Sequence, residues 1–404
     1  MKIFDIESFI SNHITGRKES LFAKDIADHQ EELTQRIKGK SVLVIGGAGS
    51  IGSNFIKAIL RFFPAEMMVV DINENGLTEL VRDLRSNFQL TVPTQFTTYP
   101  IDFSDAVFEK ILAQHGRFDI VANFAAHKHV RSEKDHFSIE AMVENNVFKA
   151  KKLLDQMLKF PPQHFFCVST DKAANPVNVM GASKKLMEET VLAYAQKIPV
   201  KTARFANVAF SNGSLLFGFL ERMLKRQPLA APNDVKRYFV SPLESGELCM
   251  LACVLGNAGD IFFPKLPESD LQTFSGIATR FLQEYGFKAQ ECSSEEEAKR
   301  LAATRSDEDV NYPVLYFSSN TSGEKSFEEF YTDTEDTDLH RFSGLGVVKN
   351  SSAKSIEAVS EIISSLQKLF DDPHTDKQTI VASIQSIIPN FAHIETGRNL
   401  DQKI

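Results

Sequence analysis

From Ser41 onward, short apolar runs alternate with longer amphipathic segments. The runs at 42–45, 67–70, 96–101, 120–124, 165–169 and 200–205 have the length and the β-branched or aromatic content of buried strands. Helix-length segments lie between them, among them 51–62 and 138–158. In the first, Ile51, Phe55 and Ile59 recur every four residues, which makes one buried helical stripe. Strand alternating with helix this many times predicts an α/β fold: a doubly wound parallel sheet covered by helices on both faces.

The alternation breaks down beyond about residue 210, where Gly, Pro and Ser punctuation becomes common. The 404 residues exceed what one compact core usually holds, so a second, smaller lobe is expected. The reading divides the chain into a helical N-terminal extension (1–40), a Rossmann-type domain (41–210), a mainly substrate-binding lobe (211–349) and a helical C-terminal extension (350–404). A late apolar run, Ile261-Phe262-Phe263, is expected to return to the main sheet as a strand (260–264). Phe4, Ile6, Phe9 and Ile10 form a possible apolar face in the first extension; Ile356, Val359, Ile362, Ile363 and Leu366 do so in the last.

A net charge of −8 argues against a nucleic-acid or anionic-membrane partner, since both need a basic footprint. The longest apolar stretch, 248–255, is far too short to span a bilayer, and the N-terminus lacks the apolar run of a signal peptide. Cys167, Cys249, Cys253 and Cys292 show no zinc-ribbon spacing and read as buried core thiols. A cytoplasmic location is expected. His127-Lys128-His129 has the H-x-H spacing of some metal sites, but no acidic or cysteine partner stands close, and no metal is expected.

Two stretches carry chemistry. The first strand runs directly into Gly46-Gly47-Ala48-Gly49-Ser50-Ile51-Gly52 and then a helix. A helix N-terminus offers unpaired N–H groups and a positive dipole end to a pyrophosphate, and the glycines let the backbone approach it. Counted from Gly47 the spacing is G-x-G-x-x-G; counted from Gly46 it is G-x-x-G-x-x-G, and the turn alone does not choose. Asp71 ends the second strand, where a carboxylate accepts hydrogen bonds from ribose hydroxyls and repels a 2′-phosphate, favouring NAD over NADP. Asp102, past the third strand, is either an adenine contact or a plain loop carboxylate.

The second stretch is Ser169-Thr170-Asp171-Lys172-Ala173-Ala174-Asn175-Pro176-Val177-Asn178-Val179-Met180-Gly181-Ala182-Ser183-Lys184. It begins at the carboxyl end of a strand, where ligands collect in open parallel sheets. Pro176 makes 170–179 a loop, and a helix starting at Met180 puts Met180 and Lys184 on one face.

This stretch resembles the active-site segment of the UDP-N-acetylglucosamine 4,6-dehydratases of polysaccharide and glycan biosynthesis, which are extended short-chain dehydrogenases. Their signature is S-T-D-K-A-x-x-P-x-N-x-(Y/M)-G-x-(S/T)-K, and the chain is similar to the branch with methionine in the tyrosine position. Further matches follow in the family's order. Ala125-Ala126-His127-Lys128-His129-Val130 resembles A-A-x-K-H-V, Asn145-Asn146-Val147 resembles T-N-V, and Arg204-Phe205-Ala206-Asn207-Val208 resembles R-x-x-N-V. Ser211-Asn212-Gly213-Ser214 resembles S-x-G-S, Lys236-Arg237-Tyr238-Phe239 resembles T-R-F-F, and Gly323-Glu324-Lys325 resembles G-E-K. The resemblance covers roughly residues 40–335.

What the resemblance implies is an NAD-dependent lyase acting on a nucleotide sugar such as UDP-N-acetylglucosamine. The C4 hydroxyl is oxidised, water is eliminated across C5 and C6, and hydride is returned to C6. Asp171 and Lys172 match the family's acid and base; Lys172 needs a depressed pKa, which partial burial beside NAD⁺ and Lys184 is expected to supply. Lys184 matches the lysine on the nicotinamide ribose, and Thr170 reaches the C4 oxygen. Met180 cannot do acid–base work, so Asp171, directly or through Thr170, takes the first proton. Gly46, Gly49, Ser50, Ile51, Gly52, Asp71, Asp102, Ala125, Ala126, Asn145 and Lys184 are the cofactor candidates. Lys128, Asn178, Asn207, Arg237 and Glu324 are the substrate candidates. Thr321 and Ser322 stand where the family has arginine and proline before G-E-K, so that contact is expected to be rearranged. Related enzymes associate, so a homo-oligomer is expected. A 4-epimerase or 4-ketoreductase would keep the tyrosine and needs no Asp–Lys pair; a silent cofactor-binding module would not need Asp171, Lys172 and Lys184 together.

Overall fold

The computed structural model describes residues 4–130, 133–319, 323, 325, 327–349 and 354–395. Six parallel strands form the body of the main sheet: β1 (Ser41–Ile45), β2 (Glu66–Val70), β3 (Gln95–Tyr99), β4 (Ile120–Asn123), β5 (His164–Val168) and β6 (Val200–Ala203). Beyond β6 the sheet continues with Ile261–Pro264, parallel to β6, and then with Leu345–Val348 and Thr337–Asp338, both antiparallel. The order is Thr337–Asp338, Leu345–Val348, Ile261–Pro264, β6, β5, β4, β1, β2, β3. The strand order reverses between β1 and β4, the place where open α/β sheets bind ligands. The fold is therefore the α/β, doubly wound one expected.

The strand ends are shorter than the apolar runs suggest. β5 stops at Val168 and β6 at Ala203, although Ser169 N–H still donates to Ala203 O. Hydrophobicity persists into the loops because those loops are themselves buried. The 138–158 segment is helical but interrupted: the α-helices His136–Val143 and Lys149–Met157 flank a π-helical turn, Glu144–Phe148. The helix after the signature loop starts at Val179 with Asn178 as its cap, and the loop before it holds a short 3-10 turn, Asp171–Ala173.

The 211–349 stretch is divided between the two bodies. Helix Pro242–Leu255 packs on helix Ser50–Leu60, and Ile261–Pro264, Thr337–Asp338 and Leu345–Val348 join the main sheet. The smaller lobe holds the parallel sheet Leu229–Pro232, Asn311–Phe317 and Lys288–Glu291, with helices Leu215–Leu224 and Phe274–Glu284 against it. Helix Pro242–Leu255 is buried from Glu244 onward, as the unbroken apolar run 248–255 in its second half requires, and Cys249 and Cys253 are free thiols inside it.

Both terminal extensions are built into the body. Phe9, Ile10 and Ile14 enter the lobe's core, whereas Phe22, Ile26, Leu33 and Ile37 enter the core on one face of the main sheet. Leu366, Ile380, Ile384, Ile388 and Phe391 pack on the other face. Each such side chain contributes roughly 1.5–3 kcal/mol on burial, enough to hold the extensions in place. Among the described residues, no helix is long and apolar enough to cross a membrane.

Candidate active site

Four chain segments meet at the carboxyl ends of β1, β4, β5 and β6: the glycine turn, Ala125–His129, Ser169–Lys172 and Arg204–Asn207. Because these strands are adjacent and parallel, the sheet alone brings the sequence motifs to one edge.

The glycine turn is shaped for a bulky anion. Gly46 has φ 73°, and a Cβ there would lie 2.5 Å from Ala125 N; one at Gly52 would lie 2.4 Å from Gly46 O. Only glycine fits either place, and the backbone is consequently free to approach a ligand. Helix Ser50–Leu60 has Gly49 as its cap with no side-chain capping bond, so the dipole end is left to a ligand. Asp71 stands beside the turn: its Oδ2 accepts from Ala48 N–H at 3.0 Å and its Oδ1 from Asn73 N–H at 2.9 Å. Each oxygen keeps a lone pair for a further donor. Ser50 Oγ accepts from Asn212 N–H at 2.9 Å, and Lys128 Nζ donates to Asn212 O at 3.0 Å, which stitches the S-N-G-S loop across the turn. Burial pushes the Lys128 ammonium down from its ordinary value. Ile51 packs on the main core. These groups fit a dinucleotide.

Two further cofactor candidates are held by contacts within the chain. Asp102 is ion-paired with Lys149 and accepts from Ser104 N–H and Oγ–H at 2.8 Å each. Burial opposes its charge, yet Lys149 and Ser104 hold the carboxyl below its ordinary value. Asn145 donates to Asn146 Oδ1 at 3.4 Å, whereas it is Asn146 that grips the loop after β4: Asn146 Oδ1 accepts from His127 N–H at 2.8 Å and its Nδ2 donates to His127 O at 3.0 Å. The π turn Glu144–Phe148 leaves Asn146 buried and Asn145 half-buried.

On the β5 side, Asp171 and Lys172 face each other across one turn. Asp171 Oδ1 accepts from Thr170 Oγ1–H at 2.9 Å, from Lys172 N–H at 2.9 Å and from Lys172 Nζ at 3.0 Å. Glu328, which nothing in the sequence singled out, brings its Oε1 to 3.7 Å from Lys172 Nζ and to 3.8 Å from Arg237 Nη2. Arg237 also donates to the carbonyls of Lys236 and Lys325, at 2.8 and 3.0 Å. The expectation of a depressed Lys172 pKa is corrected. Burial does push it down, but Asp171 and Glu328 outweigh burial and hold it above its ordinary value.

The signature helix places the rest. Met180 is 2% exposed in the core between sheet and helices. Lys184 Nζ donates to Val168 O at 2.6 Å and lies 3.1 Å from Met187 Sδ; burial pushes its ammonium down. Asn178 caps the helix through Gly181 N–H and donates to Gly323 O at 2.7 Å. Asn207 lies in a two-residue strand, its N–H on Tyr238 O. Glu324 lies outside the described residues, as do Thr321 and Ser322.

The loop is also held from the C-terminal side. Ala392 and Ile394 N–H donate to Pro176 and Val177 carbonyls, each at 3.0 Å, and Asn390 Nδ2 donates to Ala174 O at 2.9 Å. Glu133 accepts from Val179 N–H at 2.7 Å and is bonded to His393.

A family model described as polysaccharide biosynthesis protein matches residues 42–349. An uncharacterized membrane protein of Methanocaldococcus jannaschii is 31% identical over 325 residues, spanning 79% of this chain and 88% of that protein. The probable polysaccharide biosynthesis protein EpsC of Bacillus subtilis is 30% identical over 273 residues, 65% of this chain but only 44% of EpsC. Among solved structures, Pen from Bacillus thuringiensis superposes with a TM-score of 0.62 at 19% identity, covering 82% of this chain and 98% of Pen. The family match takes in the glycine turn, the Asp171–Lys172 loop and Arg237 alike: the chain belongs to the polysaccharide biosynthesis protein family.

Proposed function

We propose that the protein is an NAD-dependent nucleotide-sugar 4,6-dehydratase acting on UDP-N-acetylglucosamine or a close relative. The observation that carries this reading is the Thr170–Asp171–Lys172 cluster on the same sheet edge as the glycine turn. When bound, NAD would supply the hydride chemistry, between C4 and C6 of the sugar. The glycine turn and the open helix end at Ser50 would hold its pyrophosphate, and Asp71 its ribose, where a 2′-phosphate would be repelled.

The chain's own task is to carry protons. Thr170 Oγ1–H donates to Asp171 Oδ1, so a C4 hydroxyl bonded to Thr170 would pass its proton to Asp171. Asp171 would then give it to the departing C6 hydroxyl. Lys172 would take the C5 proton, which the C4 ketone makes acidic. Lys128, Asn178, Asn207 and Arg237 are the proposed substrate contacts. Arg237 suits a phosphate because its planar fork offers parallel donors. Met180 leaves no phenol beside Lys184, which favours Asp171 as first proton acceptor and speaks against an epimerase that relies on tyrosine.

Incubating the purified protein with NAD and UDP-N-acetylglucosamine tests this. The expected product is lighter by one water, with no net NADH. Unchanged mass with altered stereochemistry would make it an epimerase, and no turnover of any nucleotide sugar would end the proposal.

A further inference from the structure

The dehydration proposed above sets two protons in motion at once: one from the C4 hydroxyl and one from C5. Asp171 is a holder for the first. Lys172, the group nearest the second, is already charged, because Asp171 and Glu328 hold its ammonium. A charged ammonium takes up no proton unless it passes one on.

We propose that Glu328 is the second proton reservoir of the site, receiving through Lys172 the proton that leaves C5. The inference rests on the dehydratase reading. The geometry singles out Glu328 in three ways. It is 4% exposed, so it exchanges protons with the site rather than with bulk water. Its Oε1 is 3.7 Å from Lys172 Nζ, longer than the 3.0 Å contact to Asp171, so Lys172 holds one carboxylate by a hydrogen bond and keeps the other within a short approach. A structural ion pair would need only one of them. Among the described residues facing Glu328, Lys172, Arg237 and Lys325 favour its charge, and Asp171 opposes it. Burial is the largest influence and, with Asp171, lifts the Glu328 carboxyl above its ordinary range, toward a value at which it accepts a proton.

The protons then balance. The C4 O–H bond breaks and its proton goes to Asp171. The C5–H bond breaks, its electron pair stays in the enolate of the C4 ketone, and Lys172 takes the proton while handing one of its own to Glu328. Asp171 releases its proton with the C6 hydroxyl, as water. When hydride arrives at C6, the Glu328 proton returns through Lys172 to C5. Glu328 acts through Lys172 and is a positioning residue.

The test is the pH dependence of turnover on UDP-N-acetylglucosamine by the full-length protein and by Glu328→Gln. With Glu328 present the proton stays inside the cluster, so turnover is flat across neutral pH. In Glu328→Gln the Lys172 proton must leave to solvent, so turnover falls at least about tenfold at neutral pH and climbs about tenfold per pH unit above it. A variant profile parallel to that of the unaltered protein would overturn the proposal. If Glu328→Gln does not fold, Glu328→Asp carries the test: it keeps a carboxyl, so its profile stays flat at a reduced rate, and a slope contradicts the proposal. A second readout needs no turnover: amine acylation of Lys172, followed by peptide mass spectrometry against pH. Glu328→Gln is expected to move its midpoint down by about one pH unit or more. No movement would overturn the proposal even if the unaltered protein dehydrates its substrate. Absence of any water-loss product with the midpoint moved would instead overturn the dehydratase reading, and with it the C5 route.

Discussion

Asn146 Nδ2 donates to Ser183 Oγ at 3.0 Å, a buried bond that ties the π turn to the signature helix. The same amide holds both backbone groups of His127, so one side chain joins the loop after β4 to the helix that carries Met180 and Lys184. Asn146→Ala leaves those groups without partners. It is expected to lower stability by about 1–3 kcal/mol in urea titration and to reduce turnover more than it weakens NAD binding.

Asp171 accepts from Thr170 Oγ1–H, and no phenol stands at position 180 to replace it. Asp171→Asn, nearly the same shape but unable to hold the proton, is expected to cut turnover by about 10²–10⁴-fold. Thr170→Ala should cost less, since a water can stand in for its hydroxyl. Near-normal turnover in either variant would contradict the proposed route of the first proton.

Behind the loop, Arg204 is fully buried and clamped by Glu188 at 2.9 Å and Glu335 at 2.7 Å. Glu188 Oε1 also accepts from Ser169 Oγ at 2.6 Å, so this pair anchors the residue before Thr170. Removing one partner of a buried pair strands the other's charge. Arg204→Met is accordingly expected to cost about 3–5 kcal/mol. Burial works against the Glu188 charge, but Arg204 overrides it and holds the carboxyl below its ordinary value. The stability it contributes is present above the unfolded carboxyl's pKa and is lost as pH falls through the lower, folded one. Acid unfolding followed by circular dichroism should therefore shift toward neutrality in Arg204→Met.

Lys201, 1% exposed on β6, lies 3.2 Å from His164 Nδ1. Burial, with Arg36 adding to it, pushes its ammonium from 10.5 down to about 8. Between those values the folded state binds fewer protons than the unfolded one. Stability should therefore rise with pH across that window, by on the order of 3 kcal/mol. Lys201→Met should flatten the rise and raise the midpoint of thermal unfolding at neutral pH; an unchanged slope would contradict the assignment.

The segment 390–394 braces 174–177 by three hydrogen bonds. Removing residues 389–404 should leave the fold, as read by circular dichroism, and lower turnover by about tenfold or more through a loosened loop. The described part of the C-terminal extension thus packs on its own chain, through Phe391 in the core and the strap beside it.

Strand positions, the glycine turn and the Asp171–Lys172 loop were legible because each depends on local pattern: apolar runs, glycines where a Cβ would collide, a proline-bounded loop. Four features were not. The π turn Glu144–Phe148 was one, since periodicity alone carries no mark of an inserted residue. Glu328 reaches Lys172 across 156 positions of sequence from a polar stretch without periodicity. The sign of the Lys172 shift turned on that same contact, since burial alone gives the opposite direction. The strap was invisible as well: two of its three bonds are backbone to backbone and the third is one asparagine amide on a distant carbonyl, so no sequence pattern marks it.

The central claim is that one active site carries hydride from C4 to C6 of the same sugar. Deuterium placed at C4 of UDP-N-acetylglucosamine reports this directly by product NMR. The account predicts the label on the C6 methyl group of a 4-keto product; label returned to C4, with configuration there changed, would contradict it.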